Sequence, residues 1–203
     1  MTSLYYFLME YSSAKAYNDI YTVNSLKELH MKDEKKQHNK RAYTCCFTGH
    51  RDIPQCQRED VEKNLVMVLE KMIKEGVIYF GAGGALGFDT LAAQTVIKLR
   101  EKHPAIKLIL VLPCKSQAER WRENDRMIYE EVKRRADKVV YTSIGYTRDC
   151  MFKRNRHLVD CSGVCICYLT ERTGGTAYTV NYAKEKSLRI INLAELPDRI
   201  LEI

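Results

Sequence analysis

The chain has 203 residues, of which 45% are hydrophobic and 29% charged, with 10 glycines and 4 prolines, which excludes a collagen-like, low-complexity or wholly disordered protein. Its 33 lysines and arginines exceed its 26 aspartates and glutamates, and the net charge of +7 favours anionic partners without separating nucleic acid from small phosphates. Because no apolar run approaches the roughly 18 residues of a membrane span, and residues 1–10 lack the features of a secretory signal, we expect a cytoplasmic protein with no membrane partner.

Residues 1–41 differ in composition from the rest of the chain. They contain no proline or glycine, they are rich in tyrosine, and they end in a polar run over residues 32–41. At about 150 residues per domain, the length predicts one domain over residues 42–203, preceded by an N-terminal extension and a linker. The aromatic front of the extension could pack on the domain or on a second subunit, so a homo-oligomer is one expectation.

From Ala42 onward, short apolar runs alternate with amphipathic segments, which is the pattern of a parallel sheet covered by helices. The apolar runs are continuous rather than alternating, as is typical of strands buried on both faces. We therefore predict the α/β fold class: a modified Rossmann fold with a mainly parallel sheet of about six strands and helices on both faces. The predicted strands cover residues 43–47, 77–80, 106–112, 138–141, 164–169 and 189–192.

Five segments between these strands predict helices. In the first, apolar residues recur along one helical face from Val61 to Ile73, with Asp60 as a start signal and Gly76 as an end signal. The other predicted helices cover residues 88–101, 117–135, 151–161 and 176–187.

The loops that follow the strands are the candidate sites, because ligands of open α/β sheets bind beyond the carboxyl ends of the strands. The first strand leads into the turn Thr48-Gly49-His50-Arg51. Gly49 permits a close backbone approach, and the arginine is suited to hold a phosphate. Two roles stay open for the histidine: proton transfer in catalysis, or hydrogen bonding within the loop.

The second strand leads into a glycine-rich turn at a helix start. Gly81, Gly83, Gly84 and Gly87 fall within seven residues, and their N–H groups, with the positive end of the next helix, suit a phosphate. The turn lacks the Gly-Lys-Ser/Thr of a Walker loop and does not follow the first strand as a Rossmann fingerprint does. For Asp89, capping of the helix and contact with a ribose hydroxyl or an amine both stay open.

A cationic segment marks the start of the fourth predicted helix. Residues 151–157 carry three basic side chains where each opposes the helix dipole at a cost of about 0.3–1 kcal/mol. Either a bound anion reverses this penalty, or the charges extend into water and are screened. We take Arg154 and Asn155 as candidate ligands of an anion.

A second glycine turn opens the last predicted helix. Gly174 and Gly175 suit a phosphate, and Thr176 could cap the helix and contact the anion at once. Two glycine helix starts on one sheet, with an arginine cluster between them in sequence, indicate a nucleotide-like ligand better than either alone.

The eight cysteines do not indicate disulfides or a metal site. The chain is long and apolar enough to fold without disulfides, so we expect free thiols. Cys161, Cys165 and Cys167 have the spacing Cys-x3-Cys-x-Cys, which matches none of the paired Cys-x2-Cys zinc patterns. We predict no metal and no cofactor, with Cys165 and Cys167 as small apolar residues of a buried strand.

The order of these motifs resembles the YpsA-type branch of the SLOG superfamily, which also contains the LOG proteins and the DNA-processing protein DprA (Smf). The resemblance rests on Gly-Gly-Ala-Leu-Gly-Phe-Asp-Thr-Leu-Ala-Ala, Leu-Ile-Leu-Val-Leu-Pro-Cys, Gln117 with Trp121, Met-x-x-Arg-Asn and Gly-Gly-Thr, and it covers residues 43–193. It implies a modified Rossmann sheet whose glycine loops bind nucleotides or nucleotide-derived ligands, in some members with processing of the N-glycosidic bond.

The same resemblance leaves three functions open. The first is binding of a small nucleotide-derived ligand, ADP-ribose-like or a nucleoside phosphate, for sensing or sequestration. The second is a LOG-like phosphoribohydrolase acting on nucleoside 5′-monophosphates. Arg154 matches the catalytic arginine of the LOG proteins, but Asn155 replaces their lysine, and their catalytic glutamate is missing because no acid follows Thr176 before Glu185. Asp89 or Asp160 would have to take the place of that glutamate.

The third function is DprA-like binding of single-stranded DNA. Such grooves combine basic residues with stacking aromatic side chains along a surface, whereas residues 143–157 alone carry four basic side chains against one acidic one. Tyr146 and Tyr178 are the tyrosines best placed to stack on a base, and packing within the protein stays open as the alternative for both. The concentrated charge favours the small ligand over single-stranded nucleic acid.

Overall fold

The computed structural model describes residues 40–196. The predictions for residues 1–39, including the extension, most of the linker and their part in an oligomer, lie outside these residues, as does the end of the domain predicted over 42–203.

Six parallel strands form one sheet, which confirms the predicted α/β class. Their order across the sheet is β4-β3-β2-β1-β5-β6, so the first strand lies at the centre between β2 and β5. The strands are β1 Thr44–Gly49, β2 Tyr79–Ala82, β3 Lys107–Leu112, β4 Lys138–Tyr141, β5 Val164–Tyr168 and β6 Arg189–Asn192.

Five α-helices connect the strands, as the sequence predicts, and their bounds differ from the predicted ones mainly at the N-termini. The helices are α1 Gln55–Lys74, α2 Phe88–Leu99, α3 Glu123–Arg135, α4 Cys150–Asp160 and α5 Gly174–Glu185, and a short 3-10 helix covers Leu193–Glu195.

Two helix starts were wrongly predicted for local reasons. Helix α1 begins before Asp60, because Pro54 has a φ of −52° and accepts a hydrogen bond from the Gln57 amide over 2.9 Å, while the exposed first turn carries no apolar periodicity. Helix α3 begins after Gln117, because residues 116–121 form turns in which Trp121 N donates to Ala118 O over 3.1 Å.

The sheet is buried on both faces, because alternate residues of its central strand enter two different cores. Cys45 and Phe47 of β1 lie in the larger core with α1, α2 and α3, whereas Cys46 lies in the smaller one with α4 and α5. Cys165 and Cys167 also lie in the smaller core and are fully buried in β5, as predicted.

No helix within residues 40–196 is both long and apolar enough to cross a membrane.

A leucine-to-alanine substitution in helix α1 tests the larger core. Leu65 is completely buried, so we expect Leu65→Ala to lower the free energy of unfolding by about 2–5 kcal/mol. Ile144→Ala, at a fully exposed position, should change it by less than about 0.5 kcal/mol. Urea denaturation of both variants measures the difference, and equal losses would contradict this assignment of the core.

Candidate functional site

A cleft lies where the order of the strands reverses. The chain leaves β1 towards β2 on one side and leaves β5 towards β6 on the other, so the loops after these two paired strands run in opposite directions and leave a crevice. This switch-point cleft has a volume of about 330 Å³. It is lined by Phe47, Thr48, Gly49, His50, Arg51, Ala85, Asp89, Met151, Arg154, Asn155, Gly175 and Thr176.

Asp89 organises the glycine loop at the rim of this cleft. Its Oδ2 accepts hydrogen bonds from Gly83 N over 3.1 Å and from Ala85 N over 3.4 Å. The N-cap position of α2 is Gly87, two residues earlier, so the carboxylate is not the N-cap residue of its own helix. The capping role considered for Asp89 is therefore wrong, and the side chain holds the preceding loop instead.

Arg154 lies beneath the same loop and is only 7% exposed. Its Nη1 donates to Gly83 O and lies 3.5 Å from Asp89 Oδ2. Its Nε is buried and has no hydrogen-bond partner among the described residues. The side chain thus joins α4 to the loop after β2 and still carries donor capacity on the guanidinium that reaches the cleft.

The cationic segment of the sequence does not act as one cluster. Lys153 forms an exposed ion pair with Asp149 over 3.1 Å, Arg154 turns inward, and Arg156 is exposed. The predicted cost of cations at this helix start is therefore offset in part by two aspartates. One cation of the three lines the cleft.

Burial dominates the electrostatics of the Asp89–Arg154 pair. It raises the pKa of Asp89, although the charge of Arg154 and two backbone N–H groups act in the opposite direction. It lowers the pKa of Arg154, and the charge of Arg51 adds to this effect, whereas Asp89 opposes it. Arg51 is exposed and forms no ion pair with any described residue. Two arginines and one aspartate leave the cleft with an excess of one positive charge.

Three hydrogen bonds hold His50 in place just beyond the carboxyl end of β1. Its N–H donates to Tyr168 O over 3.3 Å, its carbonyl accepts from Phe88 N over 3.1 Å, and its Nε2 accepts from Thr170 N over 3.0 Å. Since Nε2 is an acceptor, the neutral ring carries its proton on Nδ1. The structure thus shows the hydrogen-bonding role that the sequence left open for this residue.

The candidate glycines fall into two groups. A Cβ at Gly49, Gly81, Gly83, Gly84 or Gly87 would approach a neighbouring protein atom to within 3.0 Å, so these glycines lie in crowded surroundings, Gly81 least of all because only the end of the Leu158 side chain is that close. Gly87 is the most constrained, because its φ is +73° and a Cβ would overlap the backbone of Arg51. By contrast, a Cβ at Gly174 or Gly175 would meet no described atom within 4 Å.

Helix α5 begins two residues before Thr176, at Gly174, with Thr173 in the N-cap position. The proposed cap by Thr176 is therefore wrong. The first turn of α5 contains no acidic residue, and Thr173 makes no side-chain capping bond. The N–H groups of this first turn are therefore not compensated, and they keep the positive potential of the helix terminus beside the cleft, where Gly175 lies.

Two further side chains hold the elements around the cleft together. Gln117 Nε2 donates to Gly84 O over 2.8 Å and so holds the glycine loop from the side of β3. Asn155 Nδ2 donates to Thr179 Oγ1 over 2.8 Å and links α4 to α5 while the residue lines the cleft. The resemblance singled out Gln117, but only the structure shows that it contacts the loop.

Three residues considered from the sequence lie away from the cleft lining. Asp160 ends α4, where it accepts from Tyr182 Oη over 3.0 Å. The ring of Tyr178 packs edge-on against Phe152 with centroids 4.7 Å apart, and Tyr146 is 71% exposed. None of the three is among the residues that line the cleft.

Comparison with known proteins identifies the family. The YpsA family model, described as the YspA SLOG family, matches residues 45–194, which is more than half of the chain. The chain belongs to the YpsA SLOG family. The resemblance drawn from the motifs is thereby confirmed.

Bacterial relatives match about three fifths of this SLOG chain. The uncharacterized SPbeta prophage-derived protein YoqJ of Bacillus subtilis is 32% identical in an alignment of 139 residues that covers 63% of this chain and 81% of YoqJ. A UPF0398 protein of Halalkalibacterium halodurans is 31% identical in an alignment of 129 residues that covers 62% of this chain and 68% of the relative.

Solved structures share the fold of this SLOG chain at low identity. DNA processing protein A of Helicobacter pylori, described for its single-stranded DNA binding mode, gives a TM-score of 0.55 at 18% identity and covers 82% of this chain and 70% of its own. DprA of Streptococcus pneumoniae gives a TM-score of 0.53 at 17% identity, and the match covers 78% of this chain and 52% of the DprA chain.

The two groups of glycines predict opposite effects on stability. Gly87→Ala should cost at least about 2 kcal/mol, because alanine must adopt a left-handed φ and displace the Arg51 backbone. Gly175→Ala should be neutral or stabilising by up to about 1 kcal/mol, since its Cβ enters open space at a helix start. Denaturant unfolding measures both, and similar effects at the two positions would contradict the grouping.

The buried carboxyl of Asp89 predicts a pH effect. Because burial raises its pKa in the folded protein, the parent loses stability as the pH rises from about 4, the unfolded value, through the raised folded value. Asp89→Asn does not ionise, so its melting temperature minus that of the parent should increase over this window. Thermal melts from pH 4 upward test this, and a difference that is constant with pH would refute it.

Proposed function

We propose that the chain binds a nucleotide or a nucleotide-derived small ligand through its phosphates in the switch-point cleft. The observation that carries this proposal is a buried arginine at the cleft floor, opposite a helix start at which packing of the described residues does not require Gly175. The φ of +90° at Gly174 favours glycine by itself, so the argument rests on Gly175. Arg154 is buried beside the cleft, and Gly175 opens onto it without neighbouring atoms. Backbone without side chains allows a phosphate to approach the N–H groups of α5.

The charges in the cleft favour one or two phosphates. Arg154 is compensated in part by Asp89, whereas Arg51 is exposed on the rim without an ion pair in the described range. A phosphate between the two guanidinium groups and the start of α5 would reduce their mutual repulsion, which adds to the effect of burial in lowering the pKa of Arg154. Binding of the ligand therefore brings a negative charge to the two arginines.

Asp89 also has a role in this proposal. Its Oδ2 carries the two loop hydrogen bonds and the contact with Arg154, and no described residue donates to Oδ1. Asp89 lines the cleft, and in this proposal its Oδ1 accepts a hydrogen bond from a ribose hydroxyl or an amine of the ligand.

Binding is favoured over hydrolysis of the N-glycosidic bond. Hydrolysis needs a carboxylate that is free to stabilise an oxocarbenium-like state or to activate water. Asp89 is the one carboxylate among the described residues lining this cleft, and it already holds the glycine loop and Arg154. A small ligand is favoured over single-stranded DNA because Tyr146 and Tyr178 do not line the cleft.

Removal of the exposed cation tests the proposal without disturbing the core. We expect ADP to bind the parent in calorimetric titration and to bind Arg51→Gln about tenfold more weakly, because one charge-assisted hydrogen bond is lost. The melting temperature without ligand should be unchanged, since Arg51 is exposed. Arg58→Gln removes an exposed charge from α1 outside the cleft and serves as the control.

Three results would contradict the proposal: no binding of ADP to the parent, equal affinities of the two arginine variants, or tighter and more salt-dependent binding of single-stranded DNA than of ADP. Release of free base during incubation with nucleoside monophosphates, lost in Arg51→Gln, would instead support the hydrolase.

A further inference from the structure

A second cleft adjoins the first on the other side of His50 and Arg51. It has a volume of about 530 Å³ and lies between the loop after β1, the start of α1 and the loop after β5. It is lined by His50, Arg51, Asp52, Ile53, Pro54, Gln57, Tyr168, Thr170 and Glu171. His50 and Arg51 line both clefts, so a ligand that passes over them could occupy the two together.

The partition between the clefts is rigid. His50 is held by hydrogen bonds to the backbone of residues 88, 168 and 170, and the backbone of Arg51 packs where Gly87 leaves no room for a Cβ. The distance from the phosphate site to the second cleft is therefore set by the fold rather than by the ligand. Such a fixed spacing selects for the length of a ligand.

The second cleft has a different chemistry from the first. Asp52 and Glu171 line it, both exposed, and neither forms an ion pair with a described residue. Gln57 adds an amide, whose Oε1 accepts from Tyr168 Oη, so that its NH₂ group remains available. Arg51 is already counted in the switch-point cleft, so the two carboxylates leave the second cleft with an excess of two negative charges.

This chemistry fits a sugar and disfavours a phosphate. Two carboxylates accept hydrogen bonds from hydroxyl groups and repel a second anion. Ile53 and Pro54 add apolar surface on which a sugar ring can pack. The arrangement therefore combines a cationic cleft and an anionic cleft at a fixed distance.

We propose that the second cleft binds the terminal sugar of a nucleoside diphosphate sugar whose phosphates lie in the switch-point cleft. This inference rests on the proposed function. Glu171 is the specificity-determining residue, because it lies in the loop after β5, lines the second cleft and accepts hydrogen bonds from the hydroxyl groups of the sugar. A mononucleotide occupies only the first cleft, and a nucleic acid is excluded from the second because its next phosphate would meet Asp52 and Glu171.

Comparison of ADP with ADP-ribose tests the inference by calorimetric titration of the full chain. We expect ADP-ribose to bind the parent at least about tenfold more tightly than ADP, because of the hydrogen bonds to charged acceptors. Glu171→Gln should reduce this preference about tenfold while the affinity for ADP stays the same or rises slightly. Glu101→Gln, an exposed substitution of the same kind beyond the end of α2, should leave both affinities unchanged.

The outcomes separate the two proposals. If ADP-ribose binds no more tightly than ADP, or if Glu171→Gln lowers the affinity for both ligands equally, the proposed sugar site in the second cleft is wrong, whereas the proposed phosphate site is unaffected. Binding of neither ligand to the parent overturns both proposals. Thermal melts without ligand confirm that the exposed substitution leaves the fold intact.

Discussion

The buried contact between Arg154 and the loop formed by Gly83, Ala85 and Asp89 is the constraint on which the rest of the site depends. It joins the loop after β2, the start of α2 and the middle of α4 through one guanidinium and one carboxylate. Its hydrogen bonds satisfy the carbonyl of Gly83 and the N–H groups of Gly83 and Ala85, so loss of either side chain would leave buried backbone groups without partners. The same atoms that shape the cleft therefore also hold the domain together at this edge.

Because the same buried groups shape the cleft and stabilise the fold, the residues around the cleft differ in role. The buried groups fix the geometry, and the residues free to respond to a ligand lie on the rim, where Arg51 is exposed and Gly175 meets open space. In the same way, the five crowded glycines serve packing, whereas the two at the start of α5 leave room for approach. A glycine-rich sequence alone does not separate these two uses.

Membership of the YpsA SLOG family is consistent with this arrangement, but the shared fold does not determine the ligand. The proposed nucleotide-derived ligand rests on the site itself: a positive cleft at the switch point, a negative one beside it, and a rigid partition formed by His50 and Arg51. The aromatic pair Phe152 and Tyr178 packs apart from the lining of both clefts.

The sequence by itself determined the fold class, the six strands and the loops to inspect, because continuous apolar runs and helical periodicity are local signals. It misplaced the starts of α1 and α3, whose first turns are polar or set by turn bonds. Only the tertiary structure decided that Asp89 pairs with Arg154, 65 residues away, and that Glu171 shares a cleft with Asp52. These pairings depend on which strands are neighbours in the sheet, and that order arises from packing of the whole chain rather than from any local pattern.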